Sequence, residues 1–500
     1  MSPTELADLD AVAQADLVRR GEVSPTELVD AAIDRIERLD PLLQAVLHPT
    51  FDRARERARS SSLEDGPFRG VPIVLKDALC ESEGDPYTAG MRFLKDRANV
   101  STHDTYFAAR LRAAGFVVVA KTNAAQHAMM LYSTDANSYG MSRNPWDTEL
   151  ATLGSSSGSA AAVASGMVPV AHGNDSGGSI RIPASACGLV GLKPSRGRNP
   201  QGPAFNELTS ALAAMNVENV LTRTVRDTAA LLDVTSGPAP GDTLVAPRPS
   251  RPFADEVGRD PGPLRIGVQS DQFLRGMTDT DPECLVALDD AARLLESLGH
   301  DVIPVEAPHV DAASRTWHDG APAGPAFMFA ARLLDRWSDD LGRDLGPDDV
   351  GPQLHHAAEL GRSTSSAASI EVNEFLLNDL PRDMASWWDA QGLDLLLTPT
   401  LAILPPPYAD FMPPPHGTFE LPDDDPMLGI ERTGVITAYT VIFNFTGQPA
   451  ISLPLHWTDS GVPVGVQLAA RYGGEALLIR IASQLEAARP WSERRPPVFA

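Results

Sequence analysis

The chain has 500 residues, 43% of them hydrophobic and 21% charged, which describes a soluble globular protein with room for one large core or two to three ordinary domains. Its formal charge of −25 argues against a nucleic-acid or anionic-membrane partner, since both need a basic face. Cys80, Cys187 and Cys284 lie far apart with no CxxC pair, a pattern that fits packed thiols in a reducing compartment and no structural zinc.

The opening MSPTELADLDAVAQ carries neither a basic segment nor an apolar run, which gives secretion and membrane insertion no support and points to the cytoplasm. Ser24-Pro25-Thr26-Glu27 then reads as a capping box with Pro at the first helical position. Leu28, Ala32, Ile33, Ile36 and Leu39 share one face of that helix, which Pro41 is expected to stop.

Downstream, short apolar runs alternate with helical patterns. The expected strands are Val71 to Leu75, Phe116 to Ala120, Met167 to Ala171, Leu264 to Val268, Val302 to Val305, Asp394 to Leu397, Ala450 to Leu453 and Val464 to Leu468; Cys284 to Leu298 reads as a helix. This alternation predicts an α/β layered fold with a largely buried mixed sheet. Pro238 to Pro263 and Leu404 to Pro426, rich in Pro, Asp and Gly, read as loops flanking a helical middle section. Strands on both sides of that section favour one domain with an insertion over two domains.

The segment LGSSSGSAAAVASGMVPVAHGNDSGGSIRIPAS, Leu153 to Ser185, admits four readings. A flexible linker would not run straight into an alanine-rich helical stretch and an apolar run. A Walker loop needs GK[ST], and no lysine falls between Lys121 and Lys193. Gly154 to Gly158 matches G-x-S-x-G, the nucleophile elbow of α/β-hydrolases with Ser156 as nucleophile, but the preceding NPWDTELAT is polar where that elbow requires a buried strand. The fourth reading takes Ser176-Gly177-Gly178-Ser179 as a tight turn whose backbone N–H groups face one concavity, suited to an oxyanion, with Ser179 as nucleophile. Asp175 and Arg181 flank the turn and can fix its shape by hydrogen bonds.

A serine nucleophile needs a base, and His172 reads as a packed histidine. Four of the 41 basic residues are lysines: Lys76, Lys95, Lys121 and Lys193. In a chain that otherwise writes Arg, a lysine marks a site needing an amine able to lose its proton. Lys76 ends the apolar run Val71 to Leu75, at the edge of the core, where burial favours the neutral amine; a snorkelling lysine or a pair with Asp77 is the alternative.

Together Lys76, LGSSSGS and GNDSGGSIRIP resemble, in order and spacing, the motifs of the amidase signature family: a lysine after an apolar strand, a GGSSGGS loop and GxDxGGS[IV]RxP. FNFTGQPAISLP, Phe443 to Pro454, resembles the family's C-terminal sheet segment. The resemblance extends over most of the chain and is weakest from about Val310 to Pro426. It implies one domain over 1–500, with a central mixed β-sheet covered by helices on both faces. N-terminal helices would occupy 1–65, the catalytic core 66–237, a variable substrate-shaping region 238–430, and 431–500 would return to the sheet.

It further implies a catalytic triad of Lys76, Ser155 and Ser179, with Ser155 on a cis peptide bridging the other two. The N–H groups of Ser176, Gly177, Gly178 and Ser179 would form the oxyanion hole. No metal and no cofactor are implied, and the partner is a small uncharged amide, cyclic oligomers included; a homodimer is left open.

Two departures from the family pattern stand out. Leu153 and Ser157 replace glycines, and the KTN segment, Lys121 to Gln126, is followed by Met129 and Met130, which suit an apolar pocket wall. Carbamates or aryl amides are the nearest alternative substrates. The glutaminase subunit of a transfer-RNA amidotransferase and an esterase using Ser156 are alternatives of other classes.

Overall fold

In the computed structural model, which describes residues 3–128, 141–203, 214–274, 278–306, 308, 324–363, 374–411 and 428–500, thirteen strands are assigned. They are β1 (Val46–Pro49), β2 (Pro72–Lys76), β3 (Val117–Thr122), β4 (Arg143–Asn144), β5 (Asp147–Ala151), β6 (Val170–Asp175), β7 (Val190–Lys193), β8 (Val217–Thr222), β9 (Arg265–Val268), β10 (Asp301–Pro304), β11 (Leu395–Pro399), β12 (Ala450–Trp457) and β13 (Pro463–Ala470). Eleven form one sheet in the order β1-β3-β2-β6-β8-β7-β12-β13-β11-β9-β10, while β4 and β5 pair separately. β2 runs parallel to β3 and β6, and β9 parallel to β10 and β11. All other neighbours in the sheet are antiparallel.

Side-chain alternation along the strands explains the layers. Val74, Val117, Val119 and Ala171 pack with Ile33 and Ile36 of the Pro25–Leu43 helix and Ala160 and Val163 of the Ser157–Ala164 helix. Their neighbours Ile73, Leu75, Val118 and Val170 point the other way, into Phe107 and Leu111 of the Tyr106–Ala113 helix and Leu231 of the Val225–Thr235 helix. The other half of the sheet repeats this. Leu395, Leu397, Ile451 and Val466 meet Leu288 and Leu295 of the Pro282–Ser297 helix, whereas Leu396, Ala450 and Ala469 meet Trp388, Tyr439 and Phe443. The result is a single α/β domain with a mixed sheet covered on both faces, as the sequence predicts.

Three local expectations need correction. Pro41 does not stop its helix, which runs to Leu43 and ends where Gln44 turns to φ 53°. A proline in the last turn forfeits a single backbone bond, and the Asp40 carboxylate caps the end by accepting from the Ala45 and Val46 N–H groups at 2.7 and 2.8 Å. The apolar run Met167 to Ala171 is only partly strand: Met167 and Val168 fill the core ahead of β6, which extends through the polar Asn174 to Asp175. β1, β4, β5, β7 and β8 escape the sequence reading, β5 because the polar Asp147 to Ala151 reads as loop, and β8 because both its faces are buried and carry polar residues, Glu218 on one and Asn219 on the other. Among the described residues no helix is long and apolar enough to cross a membrane.

Candidate active site

β2 ends at Lys76 and its parallel neighbour β6 ends at Asp175, so two adjacent strands deliver the lysine and the Gly-rich turn to the same edge of the sheet. Carboxyl ends of parallel strands are where α/β sheets place their ligands. Lys76 is fully buried, and its Nζ donates to Ser155 Oγ and to Asn174 Oδ1, both at 2.6 Å. Asn174 Nδ2 in turn donates to the Ala78 carbonyl at 2.8 Å, which fixes the amide's orientation. Burial drives the Lys76 pKa down to about 7, against the pull of the Glu218 and Asp175 carboxylates, so near neutrality much of the amine is unprotonated. Lys121 and Lys193 are likewise fully buried, which leaves Lys95 as the one exposed lysine.

Ser155 lies in the loop between β5 and the Ser157–Ala164 helix, and the Gly154–Ser155 peptide is cis. Two contacts hold the loop: the Ala125 N–H donates to the Ser155 carbonyl at 3.2 Å, and the Gly158 N–H to the Asn123 carbonyl at 3.0 Å. A Cβ on Gly158 would stand 2.2 Å from the Ala45 carbonyl oxygen, so only glycine allows this approach. Leu153, in place of a glycine, adopts φ 57° and buries its side chain in the core.

The neighbouring Ser156 is placed differently. Its Oγ is buried, has no hydrogen-bond partner among the described residues, and lies 3.0 Å from where a Cβ of Gly173 would be. A hydroxyl enclosed between a helix and β6 does not meet substrate, and the two-stranded β4–β5 piece before it is not the buried strand an elbow requires. His172 serves no serine either, because Nε2 pairs with Glu218 Oε2 at 2.6 Å and its ring makes no hydrogen bond to a serine among the described residues. Burial works against its charge, but Cys80 and the Glu218 carboxylate raise its pKa to about 9.

After β6 the chain turns sharply through Ser176 to Ser179 into the Arg181–Cys187 helix. Asp175 organises this turn. Its Oδ1 accepts from the Gly178 N–H at 2.7 Å, and its Oδ2 from the Ile180 N–H at 3.2 Å. Burial alone would raise the Asp175 pKa, yet the Arg181 guanidinium and its other donors hold it at about 2. Arg181 grips that carboxylate at 2.9 and 3.0 Å and reaches Asn444 Oδ1, Gln467 Oε1 and the Thr440 carbonyl at 2.7 to 2.8 Å. Asn444 completes the frame through Asp175 Oδ1 at 2.9 Å. Ser176 Oγ donates to Asn216 Oδ1 at 2.9 Å, and the Ser179 hydroxyl makes no hydrogen bond among the described residues. Met129 and Met130 lie outside the described residues.

Sequence reasoning missed Asn174, Thr440, Asn444 and Gln467. Asn174 and Asn444 stood inside quoted motifs, GNDSGGS and FNFTGQP, but nothing in either string says which distant group the amide meets.

The family model described as Amidase matches residues 27–479. The chain belongs to this family, the amidase signature enzymes, and is a hydrolase of amide C–N bonds. It is 41% identical over 493 residues to the 6-aminohexanoate-cyclic-dimer hydrolase of Paenarthrobacter ureafaciens, covering 98% of this chain and 97% of that enzyme. The solved structure of a 6-aminohexanoate cyclic dimer hydrolase complexed with substrate superposes with a TM-score of 0.89 at 40% identity, over 99% of this chain and 100% of that one. A bacterial aryl acylamidase of the same family superposes with a TM-score of 0.82 at 28% identity, over 97% of each chain.

Proposed function

We propose that the protein is a serine amidohydrolase for small uncharged amides, with the cyclic dimer of 6-aminohexanoate as a substrate, working through Ser179, Ser155 and Lys76. The observation that carries this reading is the fully buried Lys76 amine, 2.6 Å from Ser155 Oγ and poised near pH 7 to accept a proton. Ser179 Oγ attacks the amide carbonyl while its proton passes through the Ser155 hydroxyl to neutral Lys76. Backbone N–H groups of the Ser176 to Ser179 turn bind the oxyanion, that of Gly178 excepted because Asp175 Oδ1 already holds it; the relay returns a proton to the departing amine, and water hydrolyses the resulting ester. Asp175 and Arg181 keep the turn in shape without touching substrate, since the carboxylate oxygens and the guanidinium nitrogens are engaged with protein partners in the frame.

The likeness to an aryl acylamidase favours aryl amides as a second substrate class. We place the enzyme in the cytoplasm, where three buried free thiols stay reduced. Mass-spectrometric detection of ring opening tests the assignment. Wild type should convert the cyclic dimer to the linear dimer and Ser179→Ala should not; a folded wild type without product would detach the site from cyclic oligomers, and an active Ser179→Ala would reject the nucleophile.

A further inference from the structure

Thr440 lies in a turn ahead of the Ile442–Thr446 helix, far from Gly177 in sequence, and is fully buried. Its Oγ1 donates to the Gly177 carbonyl at 2.5 Å. The N–H of the same peptide unit, that of Gly178, donates to Asp175 Oδ1 at 2.7 Å. The C=O and N–H of a trans peptide point in opposite directions, so the Gly177–Gly178 unit is tied at both ends and cannot rotate about its flanking bonds. Thr440 and Asp175 belong to one frame, because Arg181 binds the Thr440 carbonyl at 2.8 Å and the Asp175 carboxylate at 2.9 Å. Gly178 is shaped to this clamp: its φ is 137°, and a Cβ there would lie 2.5 Å from Thr440 Oγ1.

This peptide therefore cannot present its N–H to a substrate. The two flanking N–H groups, of Gly177 and Ser179, make no hydrogen bond among the described residues. We propose, resting on the serine mechanism above, that Thr440 is a positioning residue for the oxyanion site: its hydroxyl and Asp175 lock the Gly177–Gly178 peptide so that the Gly177 and Ser179 N–H groups are the pair offered to the oxyanion. A preorganised donor pair acts without reorientation at the moment of reaction, which is where such sites derive their effect.

Thr440→Ser and Thr440→Ala both lose the methyl group and differ only in the hydroxyl, so their ratio isolates the clamp. With p-nitrophenyl acetate as probe, Thr440→Ser should keep kcat within about 3-fold of wild type, and Thr440→Ala should lose about 10-fold or more in kcat with KM changed less than about 3-fold. Inhibition by phenylboronic acid, whose serine adduct is tetrahedral, should weaken in the alanine variant in parallel with kcat. Equal kcat in the two variants, with Ser179→Ala inactive, would overturn the clamp and leave the serine mechanism standing. Ester turnover that survives Ser179→Ala would overturn both. Should Thr440→Ala not fold, Thr440→Cys, close in size to the serine variant but with only a weak S–H donor, makes the same comparison.

Discussion

Lys76 Nζ and Asn174 Oδ1 stand 2.6 Å apart, and neither side chain meets solvent. A neutral lysine amine has two N–H bonds and one lone pair. With Asn174 accepting one N–H, the 2.6 Å contact to Ser155 Oγ can reverse in the neutral amine, the lone pair accepting from the hydroxyl, so the asparagine aims the proposed base. An aspartate at 174 would put a carboxylate on the amine and favour its charged form, raising the lysine pKa by about 1 to 3 units. As the base proposed above, Lys76 works unprotonated, so wild-type kcat/KM should rise with pH through about 7, and this acidic limb should move to higher pH in Asn174→Asp. A limb that stays in place would remove Asn174 from the lysine's surroundings.

The same burial makes Lys76 a stability liability. Its folded pKa of about 7 lies below that of an exposed lysine, so between the two the unfolded state binds the extra proton and stability falls as pH drops toward 7. Lys76→Met removes that penalty while filling the same space. The variant should be inactive yet melt higher than wild type at pH 7, by a few degrees, on the order of 1 to 3 kcal/mol after the loss of the two hydrogen bonds. The gain should shrink as pH is raised toward 10. Lys76→Arg, which keeps the charge and cannot release it, should be as inactive as Lys76→Ala; an active arginine variant would end the neutral-amine role.

How much of this was legible in the chain depends on the range over which each signal acts. Continuous apolar runs such as Val71 to Leu75 fix strands locally, and a lysine at the end of one is visible in the string. β8 was invisible because its buried Glu218 and Asn219 bond to partners elsewhere, Glu218 to His172 and the Asn219 Nδ2 to the Leu192 carbonyl, which no periodicity can reveal. Ser155 is one of three adjacent serines, and only the likeness to a family separated it from Ser156; the difference between them is a backbone path, not a composition. Thr440 and Asn444 act on residues more than 250 positions away, so their roles exist only once the sheet has closed.

Those adjacent serines give a sharp contrast. Ser155→Ala removes the hydroxyl that Lys76 contacts and should cut kcat by about 100-fold or more while the protein stays folded. Ser156→Ala removes a buried hydroxyl with no partner among the described residues, and should keep activity with unchanged or slightly raised stability, within about 1 kcal/mol. Steady-state kinetics and thermal melts of the two variants decide the matter. The reverse pattern would restore the elbow reading of GSSSG.

Gly177 and Gly178 are adjacent in sequence but not equivalent in space. A Cβ on Gly177 would find its nearest neighbours at ordinary contact, Thr437 Cγ2 at 3.6 Å and Val441 Cγ2 at 3.7 Å. One on Gly178 would meet Ile182 Cδ1 and Thr440 Oγ1 at 2.5 Å from a backbone at φ 137°. Gly178→Ala must therefore both abandon its φ and displace the clamp, and should cost about 2 kcal/mol or more along with nearly all activity. Gly177→Ala should stay within about 1 kcal/mol of wild type and fold normally, with any loss of rate arising from its methyl group at the mouth of the site rather than from a distorted turn. Paired thermal unfolding measurements check this, and equal losses of stability would mean that the turn is not held by the Gly178 contacts.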